Sequence, residues 1–186
     1  VGTQMVAKGL DFPSVTLVGV LSADLALNFP DIRSSERTFQ LLTQVAGRSG
    51  RGEKEGRVII QSYDPTHFAI QAAQNHDYLD FYRKEVGFRR QLGYPPFRRL
   101  TRILCSGPKK KTEECVRHIH DFMLKAGFPP QDILGPSMAP IGRIQGRYRW
   151  QILLKSDRSP AAELRMLPPG PEDVQVSIDL DPLFML

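Results

Sequence analysis

The sequence predicts an α/β chain in two parts: a parallel-sheet unit first, then a smaller two-layer α/β sandwich with the order βαββαβ. Three observations carry that prediction. Residues 15–21 (VTLVGVL) form a continuous apolar run rich in β-branched side chains, bounded by Pro13 and Asp24, the pattern of a parallel strand buried on both faces. Residues 93–97 (GYPPF) punctuate the chain, two prolines ending a helical stretch and making a stiff, extended joint. Beyond them, short alternating runs are separated by a single long amphipathic segment.

In chain order, residues 24–31 read as a surface loop around Pro30. Ser34 is placed as the N-cap of a helix whose apolar face is Phe39, Leu42 and Val45. Residues 56–63 are the next strand, closing the first sheet. Asp64 and Pro65 open a helical region, since Asp caps and Pro is tolerated in the first turn. It runs over 66–92 on Phe68, Ala72, Ala73, Tyr78, Leu79, Tyr82 and Val86, with a break at Asn75 and His76. After the joint come a half-buried strand at 100–105, a helix over 112–126 ended by Gly127, and strands at 133–141 and 146–154 joined by a Gly-containing turn. A short helix over 161–167 and a last strand over 174–180, alternating Val174, Val176, Ile178 and Leu180, complete the order. The division is therefore 1–63, a helical connector over 64–97, and a C-terminal domain over 98–186.

With 186 residues, 41% hydrophobic and 24% charged, the chain has room for one or two domains with cores and is not of disordered composition. A formal charge of +5 and a pI near 9.4 lean toward a polyanionic partner. No apolar run approaches the roughly 20 residues that span a bilayer, and no signal-peptide pattern opens the chain, so a cytoplasmic protein without a membrane partner is expected. Cys105 and Cys115 make no CxxC, and His67, His76, His118 and His120 share no ligand spacing. No metal site is expected; the thiols read as buried or idle in a reducing compartment, the histidines as surface or capping residues.

Residues 44–52 (QVAGRSGRG) set two arginines three apart among glycines behind a helix. Glycine lets backbone approach a bulky anion, and the guanidinium fork pairs with phosphate oxygens. A bare GRxGR is equally a Gly-rich turn with two solvated arginines. The opening residues 2–13 (GTQMVAKGLDFP) supply the context: a Thr at a strand end, Lys-Gly-x-Asp, a buried strand, then a helix ending in Gln-x-x-Gly-Arg-x-Gly-Arg. In order and spacing this resembles motifs V and VI of superfamily 2 helicases.

The wording of those segments, together with 146–154 (GRYRWQILL) and 178–182 (IDLDP), resembles the primosomal protein N′ (PriA) family of replication-restart helicases, from Val1 to about Pro182. The resemblance implies that residues 1–63 are the C-terminal half of the second RecA-like lobe, and that the chain is the C-terminal part of a longer enzyme. It implies that Arg51 is an arginine finger, with Arg48 and Gln44 positioning phosphate and water, and that Gly9, Asp11 and Gly47 lie at the ATP site. Thr3 and Lys8 would contact DNA. ATP and Mg2+ would act in the full-length protein only, because no GxxxxGK[ST] occurs here. The family's zinc-binding insertion lies upstream of this chain. A non-enzymatic binding module and an RNA-helicase fragment are the competing readings.

Two acid-free stretches remain. Residues 86–112 hold Arg89, Arg90, Arg98, Arg99, Arg102 and Lys109 to Lys111, the last three read as a loop; arginines beside Tyr94 and Phe97 suit a phosphate backbone with a stacked base. Residues 133–156 hold Arg143, Arg147, Tyr148, Arg149 and Trp150, with Arg147 and Arg149 on one face of a strand and Tyr148 and Trp150 on the other. Both stretches are also compatible with solvated faces and a core Trp150. On that local charge bias Arg98 and Arg99 are candidates for forked and single-stranded DNA, and by resemblance so are Arg147 and Arg149. Arg158 and Trp150 are candidates for the acidic tail of single-stranded-DNA-binding protein. Other primosome proteins are further expected partners, and the protein is expected at the nucleoid.

Overall fold

The computed structural model describes residues 15–47 and 56–185. It is mixed α/β, with a two-stranded parallel sheet and a four-stranded antiparallel one. Two compact units divide between Phe88 and Arg89.

In the first unit, β1 (Leu17–Val20) and β2 (Arg57–Ile60) pair in parallel, Leu17 opposite Arg57 and Val20 opposite Ile60. The strands alternate rather than being buried on both faces. Val20 and Ile60 pack against the core, whereas Leu17 and Ile59 are more than half exposed. An apolar run specifies strand geometry, but what covers each face is decided by elements far away in sequence.

The core brings Phe39 and Leu42 of α2 (Ser34–Ala46) onto Ala69, Ile70, Ala72 and Ala73 of α3 (Phe68–Gln74) and Phe81 of α4 (Tyr78–Leu92). Phe39 stacks on Phe81 with ring centroids 4.3 Å apart.

Residues 24–31 are not simply a surface loop. Asp24 begins the short helix α1 (Asp24–Leu27) and is buried. Its carboxylate accepts from Ser62 Oγ (2.6 Å), Tyr63 N (2.8 Å) and Asp64 N (3.2 Å). The Ser62 hydroxyl first, then the Tyr63 amide, hold this carboxyl at a pKa of about 2. With Ala23 N donating to Gln61 O (3.0 Å), Asp24 ties together the segments that follow β1 and β2. Sequence separation of 38 to 40 residues hid this use of an aspartate that reads locally as a turn former.

Two helix starts also differ from expectation. Ser34 is the first residue of α2, not its cap. Its hydroxyl donates to the carbonyls of Phe29 and Asp31, and the Asp31 carboxylate takes the Arg33 N–H (2.9 Å). Asp64 closes a turn by accepting from Thr66 N (3.1 Å), and α3 begins at Phe68 with His67 as its cap, Nδ1 accepting from Ala69 N (3.2 Å). Burial lowers the pKa of His67, in keeping with a neutral acceptor. The break at Asn75 and His76 falls where the sequence puts it, with His76 at φ 52°.

At the joint, Gly93 rather than a proline ends α4. At φ 62° it donates to Arg90 O while Tyr94 N donates to Arg89 O (2.8 Å), a Schellman closure. Phe97 N then returns to Tyr94 O (3.0 Å), so residues 94–97 make a turn, not an extended strut.

The second unit carries β3 (Arg99–Gly107), α5 (Lys109–Lys125), β4 (Ile133–Ile144), β5 (Arg147–Ser156), α6 (Ala161–Leu164) and β6 (Gln175–Leu180). Sheet order is β4-β5-β3-β6, antiparallel throughout, which is the expected βαββαβ sandwich. One stripe of α5 (Thr112, Cys115, Val116, Ile119, Met123) is buried, and its apolar members pack on Ile103, Cys105, Ile152 and Leu154. Burial pushes both thiol pKa values up. Residues 109–111, expected as a loop, are the first turn of α5. The β4–β5 connection is the two-residue turn Gln145-Gly146, with φ 48° and 82°, the doubly left-handed geometry that matches hairpin twist.

Candidate nucleic-acid interface

Most of the expected helicase-motif residues lie outside the described residues: Thr3, Lys8, Gly9, Asp11, Arg48 and Arg51. Gln44 sits exposed in the last turn of α2, and Gly47 follows it, its N–H bonded to Thr43 O (3.1 Å). Gly47 has φ −70°, and a Cβ there meets nothing closer than 3.6 Å, so the left-handed freedom expected of it is not used at this position.

The cations of the second unit separate into groups with different fates. At the start of β3, Arg98 grips Asp132 with both terminal nitrogens (2.5 and 2.8 Å) and Asp157 through Nε (2.7 Å). The Asp132 contact raises the pKa of Arg98, and Arg98 in turn lowers that of Asp132. Arg99 pairs with Asp181. Lys155 donates to Leu92 O (2.6 Å) and lies 4.3 Å over the Tyr94 ring; Arg90 lies 4.8 Å over Phe97. The acid-free run 86–112 is therefore not an unopposed positive face at this end. Carboxylates from residues 132, 157 and 181 meet it, and aromatic faces expected to stack bases already carry cations.

Along β5, Arg147 is exposed and spends its Nη2 on Ser106 O (2.7 Å) and Asp173 O (3.1 Å). Arg149 is buried and donates to Ile141 O (3.2 Å). They alternate with Tyr148 and Trp150 as expected. Trp150 packs against the core, its Nε1 buried without a hydrogen-bond partner. Arg158 is largely exposed and pairs with Glu163 (2.8 Å). The structure shows no contact between Arg158 and Trp150.

A third group was not singled out by sequence. Lys109 and Arg143 both lie over the Tyr148 ring, 5.9 and 5.1 Å from its centroid. Arg143 stands directly opposite Tyr148 across the β4–β5 pair, and Gly107 opposite it on β3, so one row of the sheet assembles them. The signal available beforehand was the lack of acids in both stretches; the row itself needed the register.

Residues 90–183 match the family model for the primosomal protein N C-terminal domain. The chain belongs to the primosomal protein N (PriA) family. The replication restart protein PriA of Bacillus subtilis (strain 168) is 46% identical to it over 194 residues, all of this chain and 24% of that protein. The PriA protein of Synechocystis is 46% identical over 98% of this chain and 22% of its own length. That of Treponema pallidum is 38% identical over the whole chain and 29% of its own. The chain thus spans about a quarter of the length of these PriA relatives. In them it corresponds to the C-terminal part, as the motif order implies.

Proposed function

We propose that this chain is the C-terminal part of an ATP-dependent 3′-to-5′ DNA helicase that recognises stalled forks and D-loops and restarts replication by primosome assembly. The observation that carries the reading is 46% identity to a replication restart protein over a match that covers the whole of this chain, the GRxGR segment and the C-terminal domain included. Arg51 is proposed as the arginine finger on the γ-phosphate, with Arg48 and Gln44 setting phosphate and water, and Gly9, Asp11 and Gly47 at the nucleotide. Thr3 and Lys8 are proposed on the DNA strand. ATP and Mg2+ belong to the full-length enzyme, and the family's zinc to its upstream part.

Forked and single-stranded DNA, the acidic tail of single-stranded-DNA-binding protein and other primosome proteins are the proposed partners, in a cytoplasmic, nucleoid-associated setting. For the tail, Arg158 has a largely exposed guanidinium that pairs with Glu163, whereas Arg147 and Arg149 both donate to backbone carbonyls. A tail-peptide titration of Arg158→Ala reads this directly. The helicase assignment is tested by Arg51→Ala in the full-length protein: DNA-stimulated ATPase falls by about 10³-fold or more with DNA affinity nearly unchanged. Near-normal ATPase would sink it.

A further inference from the structure

Five cations of the second unit with acid partners can be set aside: Arg98 with Asp132 and Asp157, Arg99 with Asp181, Lys111 with Asp173, Arg117 with Glu113, Arg158 with Glu163. Arg147 and Arg149 are held by backbone carbonyls. What remains together in space is Lys109 and Arg143 on the two sides of the Tyr148 row, with Lys110 next in α5. Among the described residues, no hydrogen bond or ion pair joins these three to a carboxylate.

Three features say that the cluster is organised. First, it is fixed by strand register and not by a loop: Arg143, Tyr148 and Gly107 form one row across three strands, Lys109 follows two residues after Gly107, and the adjoining turn is a tight two-residue one. Second, a single half-buried ring holds both long cations, restricting rotamer freedom that Lys and Arg otherwise keep. Third, the charge sits where the isolated fold disfavours it. Three lysines occupy the first turn of a 17-residue helix with no acid there and no side-chain cap, against the positive end of the helix dipole. Lys111 has Asp173 as its counter-charge, but among the described residues Lys109 and Lys110 have no carboxylate partner; like charges so gathered cost stability, and an anion that spans them reverses the sign.

We propose that this hairpin end of the sheet grips the phosphodiester backbone of nucleic acid, Lys109, Lys110 and Arg143 making the phosphate contacts and Tyr148 acting as the positioning residue that aims two of them. The proposal rests on the DNA reading above and places its C-terminal contact at the end of β5 away from Arg98 and Arg99. A repeated phosphate suits a fork-shaped guanidinium beside ammonium groups better than a scattered set of carboxylates does. Accordingly, binding is sequence-tolerant and strongly salt-dependent.

The test is fluorescence anisotropy of the 186-residue chain with a labelled forked oligonucleotide, repeated across a salt series, with unlabelled poly-glutamate as competitor. Wild type binds. Lys109→Gln combined with Arg143→Gln, both surface changes, weakens binding about tenfold or more and lowers the slope of log affinity against log salt by about two. Tyr148→Leu keeps both cations but loses part of the affinity, and Tyr148→Phe restores it. Unchanged affinity and slope in the double variant, with wild type binding well, overturns this site and leaves the DNA reading standing. Competition by poly-glutamate as effective as by DNA, at equal charge, overturns it in favour of an acidic protein partner. Wild type that binds no DNA at all removes both this site and the DNA role of the chain.

Discussion

The two ends of β3 and β5 start from the same kind of sequence and finish differently. Arg98 and Arg99 lie at one end, Lys109, Arg143 and Tyr148 at the other, roughly 26 Å away along the strands. Both belong to basic, acid-free stretches. At the first end, Asp132, Asp157 and Asp181 arrive from 34, 59 and 82 residues away and neutralise the arginines. At the second, Asp173 arrives from 62 residues away and takes Lys111 alone; among the described residues no carboxylate pairs with Lys109, Lys110 or Arg143. Local charge bias in a sequence is therefore not charge in space; the sheet topology decides which cations are internal fastenings and which are left for a partner.

The largest effect that separates the two ends is expected from Arg98→Ala. It strands the buried Asp132 carboxylate, whose loss of a partner costs about 1–3 kcal/mol once the partial exposure of the guanidinium is discounted. Denaturant unfolding of the second unit reads this. The affinity of the still-folded variant for DNA changes far less than that of the Lys109→Gln, Arg143→Gln pair. A specific fall in DNA affinity with unchanged stability would reverse the roles of the two ends.

Acid is the next lever. Arg98 holds the Asp132 carboxyl below its ordinary pKa of 3.8, so the folded state binds its proton less readily than the unfolded one. The stability it contributes is fully present above about pH 4 and is lost as pH falls through the lowered folded value. Asp24, at about 2, adds the same sign in the first unit. Asp132→Asn flattens the midpoint-versus-pH curve of the second unit below about pH 4, and a variant lacking Arg143 leaves it unaltered.

The smallest effect is expected at Arg99. Both partners of its pair with Asp181 are about half exposed, so Arg99→Ala gives no resolvable change in the unfolding midpoint at moderate salt. A clear loss would mean that the rim of the paired end matters more than its clamp.

These contrasts also mark what the sequence revealed. The parallel strand pair, the break at Asn75 and His76, the hairpin turn and the βαββαβ order were legible because each depends on residues near one another in the chain. Asp24 and Ser34 were misjudged, and the clamp made by Arg98 went unseen, for the opposite reason: a donor at residue 62, a carbonyl at residue 29 and a carboxylate at residue 132 decided their roles. Lys109 to Lys111 read as a loop because three adjacent cations oppose the dipole of a helix start, yet the buried stripe beginning at Thr112 carries the helix back over them. The Arg143–Tyr148–Lys109 cluster was invisible for a related cause, since its members meet only once the strand register is set.

The two cysteines have a practical consequence. They are the only thiols in the chain, both lie inside the second unit, and both are kept protonated by burial. A thiol reagent can therefore reach them only when that core opens. Under conditions where reclosing outruns modification, the rate at which label appears reports the population of the opened state of this unit alone, while the first unit goes unrecorded. The molecule carries its own reporter for comparing damage to its two halves, without a dye, tag or substitution being added.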